Sequence, residues 1–210
     1  LAGIANSGAA GTVNNTNNIV RSMSSSAATG QMQGIINSGA ATSAINLSNN
    51  QLGNTTSGFF TSPVASAGNL FAIVNAAGAA TATLTMQNND LRGITYTVPA
   101  TANQLYYNNQ VFTGSTNISN NTLTDLTVNT TGPLTYLIAN SVTHAPGTTH
   151  IVNNNSVVTQ YTKLGTGGEV RFYSAFAVSP ATVTETNDGN NFSNMTFTGA
   201  TINGWRSADG

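Results

Sequence analysis

The stretch INLSNNQLGN, residues 45–54, decides how this chain reads. Ile45 and Leu47 alternate with polar neighbours, the period of a strand with one buried face. Asn49-Asn50 interrupts the alternation, and the apolar Leu52 follows two places later. The pattern returns around Asn88-Asn89, with Leu84 and Met86 before the pair and Leu91 after it, and again in ISNNTLTDLT, residues 118–127, with Ile118, Asn120-Asn121 and Leu123. Asn17-Asn18, Asn154-Asn155 and Asn190-Asn191 complete a series of six pairs spaced 32, 39, 32, 34 and 36 residues apart. Val20 and Val157 keep the rule for the apolar follower; Ser193, beside Phe192, breaks it. Before Asn154-Asn155 the matching apolar residue is Ile151, one step out of register.

A second apolar segment falls between successive pairs: Met32 to Asn37, Leu70 to Asn75, Leu105 to Asn109, Leu134 to Asn140 and Val170 to Phe176. Most follow a turn marked by Gly or Pro, such as Gly68, Gly132-Pro133 or Gly167-Gly168. Thr, Val, Asn and Gly are poor helix formers, and the apolar spacing is rarely three or four. The chain therefore reads as all-β, a single domain over residues 1–210 built from about six coils of a right-handed parallel β-helix, each coil stacking its strands on those of the next. A propeller of 40- to 45-residue blades is the nearest rival, but its Trp-Asp signature is missing and the single Trp205 cannot serve six blades.

Asn suits a recurring corner because it tolerates the left-handed backbone and because its amide both donates and accepts hydrogen bonds. Coils about 4.8 Å apart bring equivalent amides close enough to form a ladder along the axis. The six pairs, Asn17, Asn18, Asn49, Asn50, Asn88, Asn89, Asn120, Asn121, Asn154, Asn155, Asn190 and Asn191, are the expected ladder; a simple turn preference is the alternative.

Five basic and six acidic residues in 210 leave solubility to Asn, Thr, Ser and Gln. A formal charge of −1 offers no basic stripe for phosphates and no cationic face for lipid, and no apolar run reaches the length of a membrane helix, so nucleic-acid binding and membrane insertion are not expected. Zero Cys excludes disulfides and thiolate metal sites, which fits bacterial secretion better than a disulfide-stapled ectodomain. The start LAGIANSGAAG, without an initiator Met or a basic signal-peptide end, reads as that of a processed or excised piece.

On these residues the chain resembles the Asn-rich right-handed β-helix repeats of bacterial surface proteins, within the pectate-lyase-like superfold, and most closely the large secreted adhesin-like proteins of the Bacteroidetes. The resemblance covers essentially the whole chain. It implies export by the type IX system and attachment at the cell surface, although no sorting domain is visible after Trp205. Enzymes of this superfold use clustered acidic residues for calcium with a basic residue, or close Asp pairs as acid and base.

This chain offers no such cluster. Asp90 and Asp125 follow their Asn turns by one and four residues, so they are not equivalent between coils, and Arg92 beside Asp90 reads as a solvated ion pair. Glu185 to Asn191, ETNDGNN, lacks the ligand spacing of a calcium loop and reads as a tight turn. His144 and His150 flank Pro146-Gly147 without a third ligand and read as a solvated loop. No cofactor site is expected. Among Tyr96, Tyr106, Tyr107, Tyr136, Tyr161 and Tyr173, strand alternation predicts that one of each neighbouring pair points outward; simple core or edge packing is the preferred reading, and Tyr106, Tyr107 and Tyr136 are the candidate glycan contacts if it fails. The sequence thus predicts a non-catalytic structural or adhesive segment of a secreted surface protein. Its expected partners are further β-helix coils or other domains of the same parent, a neutral glycan or a cell-surface protein. A polysaccharide-binding or polysaccharide-cleaving β-helix, lyase-like or of the phage tail-spike kind, is the alternative.

Overall fold

In a computed structural model, which describes residues 1–175 and 177–206, the chain is a parallel β-solenoid of about six turns, without helix. Phe176, the end of the fifth apolar segment, and Asp209 lie outside the described residues.

Each coil contributes one strand to each of four walls, except that the sixth coil enters the third wall through a single bridged residue. The first wall stacks Ala2–Asn6, Met32–Asn37, Leu70–Asn75, Gln104–Asn109, Leu134–Asn140 and Glu169–Ala175, and a seventh level begins with Thr201–Ile202 and Trp205–Arg206. The second stacks Ala10–Asn14, Ala41–Asn46, Thr83–Gln87, Ser115–Ser119, Thr149–Ile151 and Thr184–Thr186. The third, after the Asn corner, runs from Ile19–Val20 through Gln51–Leu52, Asp90–Arg92 and Thr122–Thr124 to Ser156–Val157, with Asn191 bridged to Ser156. The fourth consists of two three-stranded sheets, Met23–Ser24, Phe60–Ser62 and Ile94–Tyr96, then Leu126–Val128, Tyr161–Lys163 and Met195–Phe197. All pairings are parallel.

In-register stacking turns each apolar position of the sequence into a column. Val20, Leu52, Leu91, Leu123 and Val157 lie one above another in the third wall, all buried. The apolar follower of the sixth coil is Phe192, because Asn191 pairs with Ser156. In the second wall Val13, Ile45 and Leu84 continue as Thr116, His150 and Glu185, so one inward column changes from apolar to polar halfway along the rod. Ile151 pairs with Asn117 and is only half-buried, whereas its neighbour Val152 is buried in the core. The expectation for Ile151 is thus corrected by one residue.

The first wall departs from strict alternation. Pairing is interrupted at the same place in every coil, at Gly3, Gly34, Ala72, Tyr106, Leu137 and Phe172. At that place two successive residues face the core: Ala72 with Ile73, Tyr106 with Tyr107, Leu137 with Ile138. Gly34 needs its missing side chain, since a Cβ there would come within 2.5 Å of the Leu52 side chain and 2.9 Å of the Phe59 ring. On the opposite face of this wall Phe71, Val74, Leu105, Tyr136 and Ala139 form a second, separate apolar cluster.

Candidate functional site

The Asn corner is built from two different residues doing two different jobs. The first Asn of each pair turns the chain: Asn17, Asn49, Asn88, Asn120 and Asn154 all sit at φ between 54° and 57°, the left-handed region that Asn tolerates. The second Asn points inward. Its main-chain N–H and its Nδ2 both donate to the Oδ1 of the Asn in the next coil, which gives the series Asn18, Asn50, Asn89, Asn121, Asn155, Asn190 with every bond between 2.9 and 3.1 Å. From the second coil onward, Nδ2 also donates to a main-chain carbonyl of the preceding coil: Asn15, Leu47, Met86, Ile118 and Val152 in turn. Asn50, Asn89, Asn121 and Asn155 are buried, with donors and acceptors satisfied inside the protein.

In the sixth coil the pair is Gly189-Asn190. Gly189 takes the left-handed position at φ 64°, Asn190 enters the ladder, and Asn191 takes the bridged position beside Ser156. The alignment on Asn190-Asn191 is therefore corrected by one residue, because Gly and Asn are interchangeable at a left-handed corner.

A second ladder, not expected from the sequence, runs along the end of the first wall. Asn6 donates to Asn37 and Asn37 to Asn75, at 2.7 and 2.8 Å; Asn109 donates to Asn140 at 2.8 Å. The apolar segments of the second to fifth coils end in these Asn residues, and that repetition was the available signal. No bond joins Asn75 to Asn109, although they are in register, and the buried Nδ2 of Asn75 has no partner.

This ladder ends at the two histidines. Ala175 occupies the Asn position after Asn140, and the Asn140 amide lies 3.1 Å from His144 Nε2. The His144 and His150 rings are 4.6 Å apart, centre to centre. His150 Nε2 meets the Tyr173 hydroxyl at 2.8 Å, its Nδ1 meets Thr116 Oγ1, and His144 Nδ1 lies 3.0 Å from the Gly114 carbonyl. Both histidines are buried, which corrects the expectation of a solvated loop. The register explains it: His150 occupies the inward column of Leu84, and the loop between the first and second walls folds His144 in beside it. Burial, and then the neighbouring His144, push the His150 pKa down to about 3, so its imidazole is neutral at physiological pH. Among the described residues no three His, Asp or Glu side chains come together as metal ligands.

Tyr106, Tyr107 and Tyr136 are all buried, which agrees with the preferred reading of core packing and corrects their lesser reading as exposed glycan contacts. Tyr106 and Tyr107 both face the core at the bend of the first wall; the Tyr106 hydroxyl meets that of Tyr161 at 3.1 Å, and Tyr107 donates to the carbonyls of Asn89 and Thr122. Burial raises both phenols well above their ordinary pKa. Tyr136 belongs to the outer cluster, under the Arg171 guanidinium at 4.8 Å, and donates to Glu169 at 3.2 Å.

The acidic residues have structural occupations. Asp90 Oδ1 accepts from Thr122 and Thr124 of the next coil at 2.6 and 2.9 Å, and Oδ2 pairs with Arg92 Nε. Asp125 is a corner residue at φ 51°, holding Thr159 of the next coil at 2.6 Å. Lys163 is buried where Val128 stands one coil earlier, and its Nζ donates to the carbonyls of Gly165 and Gly167 at 2.7 and 2.8 Å; burial lowers its pKa.

Compared with protein-family models, with curated proteins and with solved structures, the chain matches none.

Proposed function

We propose that the chain is a non-catalytic structural or adhesive segment of a large secreted cell-surface protein, as its resemblance to bacterial surface repeats implies. The observation that carries this reading is the corner ladder: six coils joined by one unbroken run of amides, a device whose only chemistry is to hold coil upon coil. Six coils at about 4.8 Å give a stiff spacer of about 30 Å. The acidic side chains support it too, since Asp90 and Asp125 each hold hydroxyls of the following coil through Oδ1, and the second oxygen of Asp90 is paired with Arg92. The chain's partners in this reading are further coils or domains of its parent protein.

The test is a panel of surface polysaccharides incubated with the purified chain. The expected outcome is no release of reducing or unsaturated ends. Cleavage that disappears in Asp90→Asn or Asp125→Asn would replace this reading with the enzymatic one.

A further inference from the structure

The fourth wall repeats one outward side chain through all six coils. In its four central strands the outer residues face the core and are buried: Phe60 and Ser62, Ile94 and Tyr96, Leu126 and Val128, Tyr161 and Lys163. The residue between them points outward, and the register stacks Ser24 on Thr61, Thr61 on Thr95, Thr127 on Thr162 and Thr162 on Thr196. The two three-stranded sheets meet between Thr95 and Thr127. The column thus runs Ser24, Thr61, Thr95, Thr127, Thr162, Thr196, exposed throughout except for the half-buried Thr162.

The fold does not require this uniformity. The outward column of the third wall is mixed, with Ile19, Gln51, Asp90, Thr122, Ser156 and Asn191. The two outward columns of the second wall interrupt their Thr with Ala44, Asn46, Ser115, Asn117 and Ile151. The strand preference of Thr acts in all three walls alike and does not account for the difference. Nor are the hydroxyls used inside the protein. Thr122 and Thr124 donate to Asp90 and Thr130 to the Ala102 carbonyl, whereas among the described residues none of the six column hydroxyls has a hydrogen-bond partner in the chain.

Six free hydroxyls therefore stand one above another at the strand spacing of about 4.8 Å. Thr is β-branched and stiff at χ1, so each hydroxyl is held in place at little entropic cost. The column carries no charge and exposes no aromatic ring to stack on a sugar, since Tyr96 and Tyr161 beside it are buried. A partner for such a row is itself neutral, rigid and periodic at the same interval. The oxygen rows on the prism faces of ice meet all three conditions, and water, like a hydroxyl, both donates and accepts. One hydroxyl holds one water weakly; a row engages the lattice together.

We infer that the fourth wall is an ice-binding face, on which Ser24, Thr61, Thr95, Thr127, Thr162 and Thr196 hold a row of water molecules in register with the ice lattice. The column lies along the side of the rod, so further coils at either end lengthen it rather than cover it. The inference goes beyond the structural reading and does not rest on it: a spacer need not meet ice, and either can fail without the other.

The test cools the full chain with a single ice crystal in a nanolitre osmometer, beside Thr95→Tyr, Thr127→Tyr and, on the second wall, Thr85→Tyr, each checked for an unchanged unfolding midpoint. Thr95 and Thr127 are exposed, and two separate variants keep the test open if one fails to fold. Cosedimentation with microcrystalline cellulose runs in parallel. The expected result is a gap between melting and freezing, with faceted crystals, for the unaltered chain and for Thr85→Tyr; the gap closes in Thr95→Tyr and Thr127→Tyr, and cellulose is not bound. No gap with the unaltered chain, a gap that survives both fourth-wall variants, an equal loss in Thr85→Tyr, or cellulose binding abolished by Thr127→Tyr would each overturn the inference.

Discussion

The two Asn ladders of this solenoid use the same side chain at nearly the same spacing, yet one runs unbroken through six coils and the other is interrupted between Asn75 and Asn109 and ends at Ala175. The difference lies in the backbone. At the corner, a left-handed residue turns the chain so that the N–H of the inward Asn joins its Nδ2 on a single oxygen, and two donors fix that oxygen's place. At the end of the first wall, side chain meets side chain alone. A single amide contact can be replaced locally: Asn109 turns its Oδ1 to the Phe112 N–H, and His144 takes over beside Asn140. Repetition of a residue does not by itself make a structural spine; a repeated backbone geometry does.

The largest expected effect breaks the stronger ladder. Asn121→Ala strands two buried donors of Asn89 and the Met86 carbonyl. At about 1–3 kcal/mol per orphaned group, with partial relaxation, the loss of stability should be about 3–5 kcal/mol by denaturant unfolding.

The histidine terminus of the weaker ladder should make stability depend on pH. His150 has a folded pKa of about 3, below the unfolded value of 6.5, so the unfolded chain takes the proton more readily. Its contribution is complete above pH 6.5 and is lost as pH falls towards 3, amounting to about 2 kcal/mol by pH 5. His150→Leu, which restores the Leu84 type of column, should remove that part of the slope between pH 7 and 5; an unchanged slope would assign it to other groups.

The smallest effect belongs to Asn75→Ala. It removes one acceptor of Asn37 together with an Nδ2 that already lacks a partner, so the change should be about 1 kcal/mol or less in the same unfolding measurement. A loss as large as that of Asn121→Ala would erase the distinction between the ladders.

The solenoid was legible because stacking makes each coil repeat its pattern, and Leu52, Leu91 and Leu123 kept theirs. What escaped reading did so for local physical reasons. Asn190-Asn191 looked like the other pairs, but Gly189 had taken the left-handed corner. Tyr106-Tyr107 broke the alternation rule because the first wall bends at that place in every coil, a bend marked in the sequence only by Gly3 and Gly34 at the equivalent positions. His150 looked like a loop residue because Ile151, the more apolar neighbour, drew the register one step away from Val152. The terminal Asn of MQGIIN, LFAIVN and LTYLIAN was in plain view; its meaning needed the wall in which those ends line up.

Hydrogen exchange by NMR at the corner residues tests the ladder most directly. The main-chain N–H and the Nδ2 hydrogens of Asn89, Asn121 and Asn155 should exchange as slowly as the core strands, opening only with global unfolding, while Asn75 Nδ2 exchanges faster. Corner amides that exchange at the rate of exposed turns would contradict the account, for the coils would then be held together by their strands alone.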